Sequence, residues 1–288
     1  MYLREDLQEL WHGADPLDEA FALEGETYRD VAGRRTLRVE LGGKAYFVKL
    51  HYGVGWGEIF KNLLQFKKPI IGATNEYLAC RDLAHVGIPA PEVAAFAEGS
   101  GSIASRRSFV LCDALDGFES LEDVTARWFD QAPTLSDRRA LLRAVAEFAR
   151  EFHEQGFVHR DFYICHLLLD QAAFAEGQVR LAVLDLHRAR RFKALPKSWR
   201  RRDMAALLFS SLDLGFTERD WLRFLRIYSG RPLREVLRDD GDFWQSVLQR
   251  SERLYAEGVR KGIVRGLYKK GLDGKDLANK APKDGGAP

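Results

Sequence analysis

Cysteine is scarce and poorly spaced for a scaffold: three occur in 288 residues, Cys80, Cys112 and Cys165, with no CxxC pair. An odd count at such spacings excludes a disulfide framework and a structural zinc site. No apolar run approaches the ~20 residues that a membrane-spanning helix needs. The opening stretch "MYLREDLQEL" is too charged for the apolar segment of a secretion signal. Charge of one sign is not in excess either. Lys and Arg number 44 against 42 Asp and Glu, a formal net charge of +2, so a general polyanion binder is not indicated. Internal repeats and long Pro- or Ser-rich linkers are missing as well. What remains is the expectation of a cytoplasmic protein with reduced thiols, long enough for one large domain or two lobes.

The first part of the chain reads as β-rich. "TLRVELGGKAYFVKL" is a hairpin, two β-rich runs around the two-residue turn Gly42-Gly43. Thr74 to His85 predicts a helix with Thr74 as N-cap and Gly87 beyond its end, and "SFVLCDAL" predicts a short buried strand. After Asp113 the pattern turns helical. Ser136 is the expected cap of a long helix whose Leu141, Leu142, Val145, Phe148, Ala149 and Phe152 repeat at helical spacing, with Gly156 as its stop. "HLLLD" and "VRLAVLD" are apolar strands, and further helices are expected over 204–214, 220–228 and 243–261. From Gly271 onward the tail is rich in Gly, Lys and Asp and is expected to be disordered.

On this framework sits a set of residues in a telling order. Phosphoryl transfer to a hydroxyl needs a cation on the nucleotide phosphates, a metal-binding carboxylate and a group that orients the acceptor. Lys49 ends the strand "AYFVKL", where its ammonium can hold the phosphates of ATP. Glu76 on the following helix can pair with it. Asp161, in His159-Arg160-Asp161, can orient the acceptor hydroxyl and take its proton, and Asp185 at the end of "LAVLD" can bind Mg2+. The turn "DVAGRR", with Gly33, can cover the phosphates. An HRD triplet alone arises by chance. The order strand-Lys, helix-Glu, buried strand, long helix, HRD, strand-Asp does not. It predicts an α+β, protein-kinase-like bilobal fold: a β-rich N-lobe over 1–113 with one key helix, a mostly helical C-lobe over 114–270, and the tail 271–288.

Several stretches are more specific. "HRDFYICHLLLD", "LAVLDLHRAR", "GVGWGEIFKNLL" and "RRDMAALLFSSLDLGFT" resemble the lipopolysaccharide core heptose(I) kinases of Gram-negative bacteria, over about residues 20 to 260. The resemblance implies an ATP- and Mg2+-dependent enzyme that phosphorylates the first inner-core heptose on lipid A, by family analogy at the 4-hydroxyl, with Asp161 as the catalytic aspartate. It also accounts for His166, which stands where protein kinases carry a metal-binding Asn. Imidazole is a poor magnesium ligand. His166 can instead bond the backbone or Asp185 and shape the loop, contact the metal directly, or touch phosphate or acceptor. His159 is read as a structural partner of the loop, and Asp203 as a buried acceptor for the loop backbone. Asp185-Leu186-His187 replaces the kinase DFG, with His187 restricting the backbone angles that Gly would permit.

The interval from Asp185 to Asp203 is short and lacks an APE motif, so peptide docking on an activation segment is disfavoured. A protein kinase acting on tyrosine or serine, or a nucleotide-binding pseudokinase scaffold, are the alternatives. Arg188, Arg190, Arg191, Lys197 and Arg200 belong to a dense basic stretch after the metal aspartate. Paired guanidinium bonds suit the carboxylates and phosphates of a core–lipid A acceptor, and no nucleic-acid module accompanies the run. Finally, Trp56, Ile59, Phe60, Leu63 and Leu64 form an apolar helical face in an insertion over about 54–68. It packs on the first lobe, or touches the inner leaflet or an acidic partner protein, which would place the enzyme peripherally at the inner face of the inner membrane.

Overall fold

The hairpin is where the sequence dictates structure most directly. In a computed structural model, which describes residues 1–31, 33–53, 72–102 and 105–268, Gly42 and Gly43 both take positive φ, 57° and 78°. That is the requirement of a type I′ turn, which favours glycine. The 54–68 insertion and the 271–288 tail lie outside the described residues.

The chain divides into two compact units, 1–117 with 182–190, and 118–181 with 191 onward. The first contains Tyr2–Leu3 (β1), Glu5–Trp11 (α1), Pro16–Ala22 (α2), Glu26–Val31 (β2), Arg34–Leu41 (β3), Lys44–His51 (β4), Thr74–His85 (α3), Val93–Glu98 (β5) and Ser108–Asp113 (β6). Its six strands form one antiparallel sheet in the order β1-β5-β6-β4-β3-β2, with Lys49 opposite Thr36 on one side and Val110 on the other. Alternation along β4 buries Tyr46, Val48 and Leu50, with Leu37, Val39, Phe109 and Leu111. Lys49, out of phase with them, projects from the opposite face. The core face is covered by Leu7 and Trp11 of α1 and Ala20 of α2, helices that the sequence reading did not anticipate.

Helix α3 differs from expectation at its start. Ala73 is the N-cap residue, and its N–H donates to Ser108 Oγ at 3.1 Å. Thr74 is the first helical residue and donates its hydroxyl to Glu98 instead. The buried face of α3 is Glu76, Ala79, Cys80 and Leu83, the i, i+3, i+4, i+7 set that puts Glu76 on the side facing the protein interior.

The second unit contains Phe118–Ser120 (β7), Leu121–Ala126 (α4), Leu135–Glu154 (α5), Phe157–Val158 (β8), Leu167–Asp170 (β9) and Gln171–Ala175 (α6). After Leu181–Val183 (β10), whose last two residues belong to the first unit, come Lys197–Ser211 (α7), Glu218–Ser229 (α8) and Leu233–Arg260 (α9). The long helix α5 is capped by Thr134, not Ser136: the Thr134 hydroxyl accepts from Asp137 N–H. Helix α8 opens on a reciprocal cap between Thr217 and Asp220. Helices α7 and α9 begin well before the spans expected from apolar periodicity, each after a proline, Pro196 and Pro232. Among the described residues, no helix is long and apolar enough to cross a membrane.

Candidate active site

In the first unit, Lys49 is brought between two carboxylates. Its Nζ donates to Glu76 Oε1 at 2.5 Å and to Asp185 Oδ1 at 3.3 Å. The three side chains retain 19%, 7% and 24% of their exposure, so the cluster is screened but open on the Asp185 side. Burial alone would strip the proton from Lys49. The charges of Glu76 and Asp185 outweigh it and hold the pKa above the ordinary lysine value. The ammonium is therefore a permanent cation.

Asp185 lies two residues beyond the end of β10 in a left-handed conformation, φ 58°, which Asp tolerates better than most residues. The unusual backbone angle thus falls on the aspartate itself, and His187 follows in a short 3₁₀ turn, Leu186–Arg188. Two contacts fix that turn. Asn75 Nδ2 donates to the carbonyls of His187 and Ala189, at 2.7 and 2.9 Å. His187 Nδ1 lies 2.5 Å from Asp185 Oδ1. Asn75 precedes Glu76 on α3, so one helix places both the lysine's partner and the turn that follows Asp185. The contact with Cys80 and then burial hold the Cys112 thiol well above the ordinary thiol range. In the same unit, Gly33 has φ 80° and its carbonyl accepts from Tyr52 N–H at 3.0 Å, extending the β3–β4 pairing beyond Arg34 and His51.

In the second unit, the HRD loop is tied down from beneath. Asp203, fully buried on α7, accepts His159 N–H through Oδ2 at 2.6 Å and Arg160 N–H through Oδ1 at 2.8 Å. His153 Nε2 stands 3.4 Å from the same Oδ2, and its Nδ1 meets Tyr228 OH at 2.7 Å. Burial raises the Tyr228 pKa above its ordinary value, so the phenol stays protonated. These bonds hold Arg160 at φ 75°, a left-handed angle that persists only where the surroundings over-determine it. His159 is buried, and its ring stacks on His166 with centroids 5.3 Å apart. His166 Nδ1 lies 2.7 Å from the Asp161 carbonyl oxygen and donates to it. That bond commits one ring nitrogen to shaping the loop beside Asp161, which is itself partly exposed.

The basic stretch is divided. Arg188 and Arg190 belong to the first unit, Arg191, Lys197 and Arg200 to the second. Arg191 Nε donates to Gln155 O at 3.1 Å and its guanidinium covers the Phe157 ring, while Arg200 lies 4.3 Å over Phe243. Asn75, His153 and Tyr228 were not singled out from sequence. Their roles depend on contacts 50 to 114 residues away in the chain, which no local pattern signals.

Residues 18–228 match the lipopolysaccharide kinase (Kdo/WaaP) family. A lipopolysaccharide core heptose(I) kinase, WaaP, of Pseudomonas aeruginosa is 44% identical over 264 residues, which is 91% of this chain and 98% of the relative. The WaaP of Escherichia coli K12 is 38% identical over 262 residues, 91% of this chain and 99% of its own. A solved structure of WaaP in complex with acyl carrier protein superposes with a TM-score of 0.75 at 40% identity, covering 88% of this chain and 98% of that one. Fold, site and relatives agree: this chain is an α+β protein of the kinase-like type and belongs to the lipopolysaccharide kinase (Kdo/WaaP) family.

Proposed function

We propose that this enzyme transfers the γ-phosphate of ATP to heptose I of the lipopolysaccharide core, at the 4-hydroxyl, with Asp161 as the group that orients the acceptor and takes its proton. The observation that carries the reading is Lys49 held between Glu76 and Asp185. A buried cation with a carboxylate partner on the next helix is what nucleotide phosphates require. The donor set also fits Mg2+, which prefers hard oxygen ligands and usually takes one or two carboxylates together with substrate phosphates. Asp185 would be its main protein ligand, and the bound ion would neutralise charge on the β- and γ-phosphates. Gly33 would bring backbone close to those phosphates. His166 serves the loop more than the metal, because Nδ1 is engaged with the Asp161 carbonyl.

Asp203 and His159 support Asp161 through the loop backbone. Arg188, Arg190, Arg191, Lys197 and Arg200 supply cations for the anionic core–lipid A acceptor. A soluble catalytic body acting on a glycolipid implies work at the inner face of the inner membrane, with residues 54–68 as the contact. The solved WaaP complex makes an acyl carrier protein a second partner to test.

The decisive experiment is transfer of labelled γ-phosphate to core lipopolysaccharide, with a protein acceptor in parallel. Asp161→Asn keeps the side-chain shape and removes the proton acceptor, so turnover should fall by about 10²–10⁴-fold. Unchanged turnover rejects the role of Asp161, and faster labelling of the protein than of the glycolipid rejects the acceptor.

A further inference from the structure

Helices α7 and α9 pack along one another in the second unit, and both carry arginines with no counter-charge among the described residues. Arg201 and Arg202 lie in the second turn of α7. Arg250 and Arg253 lie three residues apart on α9, on one face of the helix. Among the described residues, no carboxylate stands within ion-pair distance of any of the four. The Nε–H groups of Arg201 and Arg250 are buried and have no hydrogen-bond partner among the described residues, while Arg253 Nε reaches only a backbone carbonyl, Gln249 O. The crowding is strong enough to register on Arg250. Burial, then the charges of Arg202, Arg201 and Arg253, lower its pKa from the ordinary arginine value, and the Tyr163 side chain opposes them.

Such an arrangement opposes stability at two levels. Like charges repel, and the cations of α7 sit near the positive end of the helix, whose first turn contains no acid. Buried donors without acceptors cost free energy as well. Features that violate local rules together, with no compensation among the described residues, point to a site completed by a ligand. The ligand must be an anion of high charge density, because one carboxylate would leave most of four positive charges unbalanced. A phosphate group brings a charge near −2 and accepts paired guanidinium bonds. Recessed Nε–H groups also suit a small oxyanion better than a broad acidic protein surface.

The position of the cluster gives the anion its source. Tyr163, the neighbour of Arg250, is two residues past Asp161. Its backbone N–H donates to the Asp161 carbonyl, and its ring centroid lies 6.1 Å from that of His166. The cluster therefore borders the catalytic loop within a single unit. We propose that Arg201, Arg202, Arg250 and Arg253 form a subsite for a phosphate group carried by the acceptor. This rests on the glycolipid reading above and adds α9 to the residues that select the substrate.

Two measurements test it. The first needs no turnover: inorganic pyrophosphate is titrated calorimetrically into full-length protein carrying Lys49→Ala, which removes the phosphate cation of the nucleotide site. Adding Arg202→Gln and Arg250→Gln should weaken binding by about tenfold or more, and unchanged affinity overturns the subsite. The second is kinetic. In the otherwise wild-type enzyme the same pair should raise the KM for core lipopolysaccharide by about tenfold or more and leave the KM for ATP unchanged. On enzymatically dephosphorylated lipopolysaccharide the pair should make no further difference. An equal loss on both acceptors overturns the proposal. So does loss of acyl carrier protein binding with pyrophosphate affinity and KM intact, which would give the patch to that protein. If the double variant fails to melt cooperatively, Arg250→Lys, which keeps the charge and loses the fork, takes its place with the same readouts. A wild-type enzyme that transfers nothing to lipopolysaccharide would refute the glycolipid reading, and the pyrophosphate titration would still decide the subsite.

Discussion

A single buried histidine shows how the charge of the site reaches into stability. His51 follows Lys49 by two positions on β4, is 4% exposed, and has no partner for Nε2 among the described residues. Burial first, then the neighbouring Arg34, Lys49 and His187, lower its pKa from 6.5 to about 4. The folded protein keeps the ring neutral, so the unfolded chain takes up the proton first as the pH falls. His51 therefore costs nothing above pH 6.5, weakens the fold between 6.5 and about 4, and adds no further loss below that. The full span corresponds to about 3 kcal/mol. Urea unfolding at about pH 7.5 and about pH 4.5 should show His51→Gln losing ~2 kcal/mol less than wild type on acidification. Parallel losses would show that the ring does not titrate between the two states. At this scale the sequence was partly readable. Lys49, Glu76 and Asp185, which the fold brings together, stood out by order and residue type, because phosphate chemistry restricts what can serve, and Asp161 was proposed on the same ground. Asn75 could not be assigned in the same way, since a side chain that bonds a distant carbonyl leaves no mark on its own neighbourhood.

Elements were legible where the chain states its own boundaries, and less so where charge obscures them. The β3–β4 hairpin and the end of α5 are fixed by glycines at positive φ, and both were anticipated. The starts of α7 and α9 were not, because "KSWRRRD" and "LREVLRDD" place charged residues where an apolar stripe would reveal a helix. Helices α1 and α2 escaped notice because short helices carry little periodicity. The glycine that ends α5 also has a packing role. A Cβ on Gly156 would meet Phe192 O at 2.1 Å, on a backbone already at φ 83°, and Gly156 O accepts from Phe192 N–H at 2.8 Å. Gly177 has a similar φ of 80°, but nothing lies within 4 Å of the added carbon. Gly177→Ala should cost about 1 kcal/mol from the left-handed angle alone. Gly156→Ala adds a backbone clash and should cost ~3 kcal/mol or more. Chemical denaturation of the two variants compares them directly, and equal losses would mean that the α5 terminus yields freely around Phe192.

Over the whole molecule, a net charge of +2 in 288 residues conceals an uneven distribution. Lys49 is balanced twice over by Glu76 and Asp185, whereas Arg201, Arg202, Arg250 and Arg253 are not balanced at all by described residues. A composition average cannot distinguish these cases, which is why the kinase-like order of residues was readable and the α9 arginines were not. The same division of labour separates binding from chemistry. Nucleotide affinity should depend on the first unit through Lys49, and proton acceptance on Asp161 in the second. A nucleotide that binds only the folded state stabilises it by mass action, by about 2.7 kcal/mol at 100 times its dissociation constant. Wild type and Asp161→Asn should therefore show the same rise in melting temperature with Mg-ATP, while Lys49→Ala at the same nucleotide concentration should show little. A scaffold that merely binds nucleotide would give this pattern as well, but its Asp161→Asn variant would have no turnover to lose. Equal thermal shifts together with a loss of transfer in Asp161→Asn would identify a working enzyme. A missing shift in Asp161→Asn would instead place that aspartate in nucleotide binding and remove it from proton transfer.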